Sequence, residues 1–276
     1  MIIDCFLFYD EFKMLDFRLA ELNDHVDCFV LVEARTTYLN EPKRLYFEEN
    51  KARYAKYLHK IHHVVLDPIF KHVPLTKPEC HLWQIYNRQQ QITGALHVSN
   101  NSQDIIFYGD LDEVWDVRQL PEILNGSFPV RLQGHWYVWD LEHRLIMPKV
   151  MNADYIVAVK PATVVESLAV NIRQDRSNNI VNFRYIKNSS WHLSWFGGEE
   201  QISNKVTNGL GLDIFRIKNK DQKPVLATLD RYRKKRLPLM ATNQPLDIEY
   251  IPIAENDFLP VHYKMLLDET IRNPEQ

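Results

Sequence analysis

Apolar and polar positions fall into blocks along the chain. "IIDCFLFYD" (2–10) reads as a buried strand, and "FKMLDFRLAELNDHV" (12–26) sets Phe12, Leu15, Leu19 and Leu22 at helical spacing. "DCFVLVEA" (27–34) is a second buried strand, with Glu33 near its end. "KARYAKYLHK" (51–60) predicts a short helix, "IHHVVLD" (61–67) a third strand, and 79–97 a helix leading into the strand "IIFY" (105–108). Strands alternating with helices on this rhythm predict an α/β fold, a mostly parallel central sheet with helices on both faces. Ligands of such sheets bind beyond the carboxyl ends of the strands.

The second half has a different texture. "PVRLQGHWYVWDL" (129–141) and "DYIVAVKPATVV" (154–165) predict strands of a mixed, more antiparallel region. "SSWHLSWFGG" (189–198) reads as a strand or turn before the helix-like "EEQISNKV" (199–206). No internal repeat, low-complexity tract or linker interrupts the chain. The division predicted is one domain over 1–220 with a C-terminal extension, 221–276, packed on it. The cationic run "RYRKKR" (231–236) is expected to be a solvated helix face, with a diphosphate clamp or membrane-surface patch as alternatives.

Composition narrows the field without choosing a function. The 276 residues suffice for a sizeable core, and 45% hydrophobic with 25% charged is ordinary for a globular protein. A net charge of −3 gives no electrostatic reason to expect nucleic acid. Cys5, Cys28 and Cys80 are an odd number without CxxC spacing, and Cys5 and Cys28 lie in strand-like runs where a reduced, buried thiol is expected. Acids interrupt the N-terminal apolar run where a signal peptide needs basic residues, and no segment approaches a membrane span. A soluble, cytoplasmic protein is expected.

The chemistry concentrates in two stretches. In "IIFYGDLDEVW" (105–115) a buried strand breaks at Gly109 and Asp110, Asp112 and Glu113 follow at its lip. Two acids separated by one residue just past a strand can turn toward one hard divalent cation such as Mn²⁺ or Mg²⁺, which would neutralise substrate phosphates. An acidic turn before a helix near Val117 is the plainer alternative. In "SWHLSWFGG" (190–198), Trp191 and Trp195 share one strand face and His192 takes the other. Indole faces suit sugar rings and an imidazole suits a metal, while a pair of core tryptophans around a hydrogen-bonded histidine explains the same letters. Glu199 and Glu200 follow, where a helix dipole would also favour carboxylates.

Together these stretches resemble glycosyltransferase family 17, whose members include bisecting β-1,4-N-acetylglucosaminyltransferases and soluble bacterial-type proteins. The likeness is carried by "DFRLAELNDHVDCFVLVEA" (16–34), "EPKRLYFEEN" (41–50), "YNRQ" (86–89), "DIIFYGDLDEV" (104–114) and "WHLSWFGGEEQISNK" (191–205), then weakly by "LPVHY" (259–263). The resemblance implies a GT-A fold and inverting, metal-dependent transfer from a nucleotide sugar, UDP-N-acetylglucosamine above all, to a hydroxyl of a glycan or glycoconjugate. Peripheral membrane contact would come through such an acceptor. Asp110 and Asp112 match the DxD positions that hold Mn²⁺ on the diphosphate, and His192 falls in a Trp-His-x-Ser motif.

Transfer also needs a base for the acceptor hydroxyl. Glu200 is the first candidate, Glu199 the second and Asp140 the third, each with a helix-start or surface acid as the alternative. Phe8 and Tyr9 are candidates to stack on uracil, with core packing the alternative for Phe8. Glu33 is a candidate acceptor of hydrogen bonds from base or ribose. Lys43 and Arg88 could meet phosphate or the strand-end acids, or be plain surface charge. Two rival functions remain: a metal-dependent phosphohydrolase using a DxD nucleophile, and a non-catalytic carbohydrate-binding protein.

Overall fold

The computed structural model describes residues 1–146, 153–166, 182–197 and 247–267. Among them eleven strands form one continuous sheet. The first half contains β1 (Ile2–Leu7), α1 (Phe12–Leu22), β2 (Cys28–Ala34), α2 (Tyr46–Glu49), β3 (Ile61–Leu66), α3 (Lys77–Val98) and β4 (Ile105–Tyr108). After β4 come β5 (Glu113–Trp115), α4 (Leu120–Leu124), β6 (Val130–Val138), β7 (His143–Ile146), β8 (Ala153–Val159) and α5 (Pro161–Glu166). β9 (Arg184–Ile186), β10 (Ser190–Ser194) and β11 (Asp247–Tyr250) complete the set.

β3, β2, β1 and β4 lie side by side in that order and are parallel. β8 then pairs antiparallel with both β4 and β6, and β7 and β11 extend the antiparallel side. The parallel half is buried on both faces, as its near-continuous apolar strands require. On one face Phe6, Phe29 and Leu31 pack against Leu15, Phe17, Leu19 and Leu22 of α1. On the other, Ile3, Cys5, Val30 and Val32 meet Trp83, Ile92 and Ala95 of α3. The path runs outward from β1 through β2 to β3, then crosses to the far side of β1 for β4. The carboxyl ends of β1 and β4 therefore flank a topological switch point, the place where sheets of this kind bind their ligands.

The expected α/β organisation is what the chain adopts, with three local differences. The stretch 51–60 forms two 3₁₀ turns, Lys51–Tyr54 and Leu58–Lys60, instead of a helix. Its buried aromatics, Tyr54 and Tyr57, stand three apart, which is the 3₁₀ repeat. The run 154–165 divides at Pro161, whose fixed φ ends β8 and starts α5. The acidic stretch itself supplies β5, three residues paired antiparallel with β10.

β6 joins the two halves. Its start pairs with β8 and β9, and His135–Val138 runs parallel to β10. Register shifts between Leu132 and Gly134, where a Cβ would lie 1.8 Å from the Ser190 carbonyl oxygen, so this crossing requires glycine. The described part of the C-terminal stretch is integral to the fold: β11 adds to the sheet, and Leu266 enters the core beneath α1. "RYRKKR" and "EEQISNKV" lie outside the described residues. Within them, no helix is long and apolar enough to cross a membrane.

Candidate active site

The acidic loop after β4 is held from below by a buried cation. Asp4 stands in the middle of β1 on the face that meets α1, and Arg18 of α1 reaches it with two hydrogen bonds of 2.8 Å. Both side chains are fully buried. The remaining guanidinium nitrogen donates to the carbonyls of Asp110 (2.9 Å), Leu111 (3.1 Å) and Glu113 (2.6 Å). Glu113 closes the loop by accepting the Asp110 N–H at 2.7 Å. Trp115 adds an indole N–H to Asp4 at 3.2 Å. One buried ion pair thus fixes three carbonyls of the loop, and the side chains of Asp110 and Asp112 stay part-exposed.

Asp110 is met by Arg88 of α3, with an Nη2–Oδ2 distance of 2.8 Å and both side chains part-exposed. Asp112 turns toward β10. Its carbonyl accepts the Leu193 N–H at 2.7 Å, and its Oδ1 lies 3.9 Å from His192 Nε2. The His192 ring stacks on Trp136 at 4.5 Å and 19°, while Ser194 Oγ sits 2.9 Å from Nε2. Ser194 Oγ accepts the Trp136 indole N–H at 2.9 Å. Ser194 Oγ thus links the Trp136 indole to the His192 imidazole, and the same oxygen can either donate to Nε2 or accept from it.

The fold brings together Asp110, Asp112, His192 and Arg88 and separates other expected residues from them. Phe8 is a core residue, edge-on to Phe12 and Phe47, and offers no face to a base. Glu33 is fully buried, accepting the Phe47 N–H and pairing with His63 and Lys43. Lys43 is itself only 4% exposed, its ammonium over the rings of Tyr9 and Tyr46. Burial pulls its pKa down, with Glu33 opposing. Tyr9, part-exposed beside Tyr46, keeps a position just past the end of β1. Burial first, then the neighbouring Asp10, pushes its phenol well up, so it stays a neutral donor.

Trp191 is buried in the core with its indole N–H on the Phe258 carbonyl at 2.9 Å, so it presents no face to a sugar. Trp195 is part-exposed and leans on a small apolar cluster of Trp136, Val138 and Leu145. Asp140 sits in the β6–β7 turn, its Oδ1 accepting the N–H groups of Glu142 and His143 and the His143 Nδ1. Glu199 and Glu200 lie outside the described residues. Arg18, Ser194 and Trp136 escaped the sequence reading. Asp4 could have revealed the first of these, since an acid inside an apolar strand needs a buried partner.

The described residues thus define an α/β protein with a group of charged side chains at the switch point of its parallel strands. A sequence profile of glycosyltransferase family 17 matches residues 1–142, from β1 through the acidic loop to the β6–β7 turn. The chain belongs to glycosyltransferase family 17. No curated protein matches it. Among solved structures it is similar to HddC from Yersinia pseudotuberculosis, at 10% identity and a TM-score of 0.41, over 68% of this chain and 90% of that one. It is also similar to the inositol-1-phosphate CTP transferase from T. maritima, at 10% identity and a TM-score of 0.39, over 70% and 88%. Both scores are too low to carry a conclusion about fold or activity.

Proposed function

We propose that the chain is an inverting, metal-dependent glycosyltransferase of GT-A type. It would transfer a sugar, N-acetylglucosamine from UDP-N-acetylglucosamine, to a hydroxyl of a glycan or glycoconjugate. Family membership gives the reaction class. The observation that carries the finer reading is the acidic loop, two carboxylates held rigidly at a switch point by Arg18.

The residues fit a divalent ion shared with a substrate. Asp112 Oδ1 and His192 Nε2 are 3.9 Å apart, within the span of two ligands on one ion with bonds of about 2.1 Å. Among the described residues no three His, Cys, Asp or Glu side chains gather as a protein-only cage. Mg²⁺ and Mn²⁺ commonly take one or two carboxylates and complete their shell with phosphate oxygens and water. Asp112 would therefore hold the ion, and His192 would join by exchanging its Ser194 hydrogen bond. Asp110 would do so by releasing Arg88. A bound Mn²⁺ supplies Lewis-acid stabilisation of the departing diphosphate. Arg88 adds a guanidinium at the same lip, and Tyr9 a ring for the base.

The test is Asp112→Asn. Calorimetric binding of UDP should lose its dependence on Mn²⁺, while the melting temperature stays within about 3 °C of wild type. Full transfer from UDP-N-acetylglucosamine in EDTA would refute the metal-dependent reading. Release of phosphate from simple esters without sugar transfer would favour a phosphohydrolase.

A further inference from the structure

Four strands lay two rows of side chains on one face of the sheet. His192 on β10 is in register with Trp136 on β6, Trp136 lies beside Leu145 on β7, and Leu145 pairs with Ile248 on β11. The next row on the same face is Ser194, Val138, His143 and Tyr250. Contacts confirm the shared face: His192 stacks on Trp136, Leu145 and Ile248 join the Trp136 cluster, and the His143 and Tyr250 rings lie 5.6 Å apart. Two strand spacings sideways and two residues along put His143 on the order of 12 Å from His192, Cα to Cα. That gap accommodates a diphosphate and one sugar ring between the two imidazoles.

His143 is held as a base would be. Its Nδ1 lies 2.7 Å from Asp140 Oδ1, and the same oxygen accepts the N–H groups of Glu142 (2.8 Å) and His143 (3.1 Å). An ionised carboxylate only accepts, so Nδ1 carries the proton and Nε2 keeps its lone pair. Nε2 has no hydrogen-bond partner among the described residues. The turn is tied to the metal side of the site, because the Trp139 N–H bonds the Ser194 carbonyl at 3.0 Å. Trp139 and Trp195, both part-exposed, flank this rim, and Trp139 stands edge-on to His143 at 6.2 Å. Part-exposed indoles beside a poised imidazole suit the apolar face of an acceptor sugar.

We propose that His143 is the general base that deprotonates the acceptor hydroxyl, and that Asp140 positions it. The inference rests on the glycosyltransferase reading of the site. His143 Nε2 takes the hydroxyl proton as the acceptor oxygen bonds to the anomeric carbon of the donor sugar. The bond from that carbon to the diphosphate oxygen breaks, and its electron pair leaves with the nucleoside diphosphate. Asp140 stays ionised and stabilises the imidazolium. The groups facing His143 are Asp140 and Glu142 on its own turn and Tyr250 from β11, whose hydroxyl donates to Glu142 at 3.3 Å. The Arg144–Glu249 pair occupies the opposite face.

The experiment follows UDP release from UDP-N-acetylglucosamine with Mn²⁺, water serving as the acceptor, across pH 5 to 9. In wild type the rate should rise with pH and then level off, as a base that must lose its proton requires. His143→Gln should lower the plateau about 10²–10⁴-fold and abolish the rise. Its UDP affinity, read by calorimetry, should stay within twofold of wild type. Asp140→Asn keeps an oxygen for the turn but loses the charge, so the rise should move to lower pH with a smaller loss of rate, a change that a purely structural turn residue would not produce. A wild-type profile in either variant overturns the proposal, as does a Glu200→Gln variant that alone loses the rise. Absence of UDP binding and release by the wild type overturns the transferase reading itself, and the inference with it.

Discussion

Arg18 and Asp4 form a two-pronged pair in the interior, and the guanidinium nitrogen not used on Asp4 holds the backbone of the acidic loop. A core contact and a site contact are therefore the same residue. Breaking a buried pair on one side costs about 3–5 kcal/mol, because the remaining charge has no water and no opposite charge.

Arg18→Met should accordingly lower the melting temperature by on the order of 10 °C. Pairing it with Asp4→Leu removes the stranded carboxylate and should recover much of that loss. The double variant still lacks the donor to the carbonyls of Asp110, Leu111 and Glu113, so Mn²⁺-dependent UDP binding should remain weak. Scanning calorimetry and titration calorimetry read the two effects separately. A single variant melting within 2 °C of wild type would contradict the pair's role.

Arg88 and Asp110 give the opposite balance. Both are part-exposed, and pairs of that kind contribute about 0–1 kcal/mol. Arg88→Gln should melt within about 3 °C of wild type. Hydrogen bonds to charged groups are worth about 1.5–3 kcal/mol, so UDP affinity should fall tenfold or more if the guanidinium meets the diphosphate. Unchanged affinity would return Arg88 to the role of a surface charge.

His135 sets a pH dependence of stability. Burial, and then the Arg144 guanidinium at 3.3 Å, holds its pKa down at about 4. The unfolded chain protonates the same imidazole near 6.5, so between those values the unfolded state binds more protons. Its contribution to stability is complete above pH 6.5 and is lost progressively as pH falls toward 4. Melting temperatures at pH 7, 5.5 and 4.5 should decline less steeply in His135→Gln than in wild type. Parallel declines would show that His135 is not held neutral.

The parallel half of the fold was legible because burial on both faces writes itself as uninterrupted apolar runs, and α1 and α3 as helical spacing. The 51–60 turns were not, because Tyr54 and Tyr57 satisfy a short helix and a 3₁₀ turn equally well on paper. At the site, Asp110, Asp112 and His192 stood out by charge and position. Glu33 stood out in the same way, and Phe8 and Trp191 as aromatic rings, yet the fold turns all three inward. Residue type marks the neighbourhood of a site, and only the register of β4, β6 and β10 decides which side chains enter it. Arg18 reaches across 92 residues, and His143 lies two strand spacings from His192, separations that a local pattern does not encode.

The crossing of β6 over β10 at Gly134 also has a consequence for how such proteins diverge. The acidic loop depends on Arg18 and β10. The floor around His143 depends on β7 and β11, which attach along the other edge of the same stretch of β6. Exchanges along those two strands alter that floor and leave the loop and its anchor in place. Descendants of one ancestor are then free to drift in that floor while inheriting an unchanged loop and anchor.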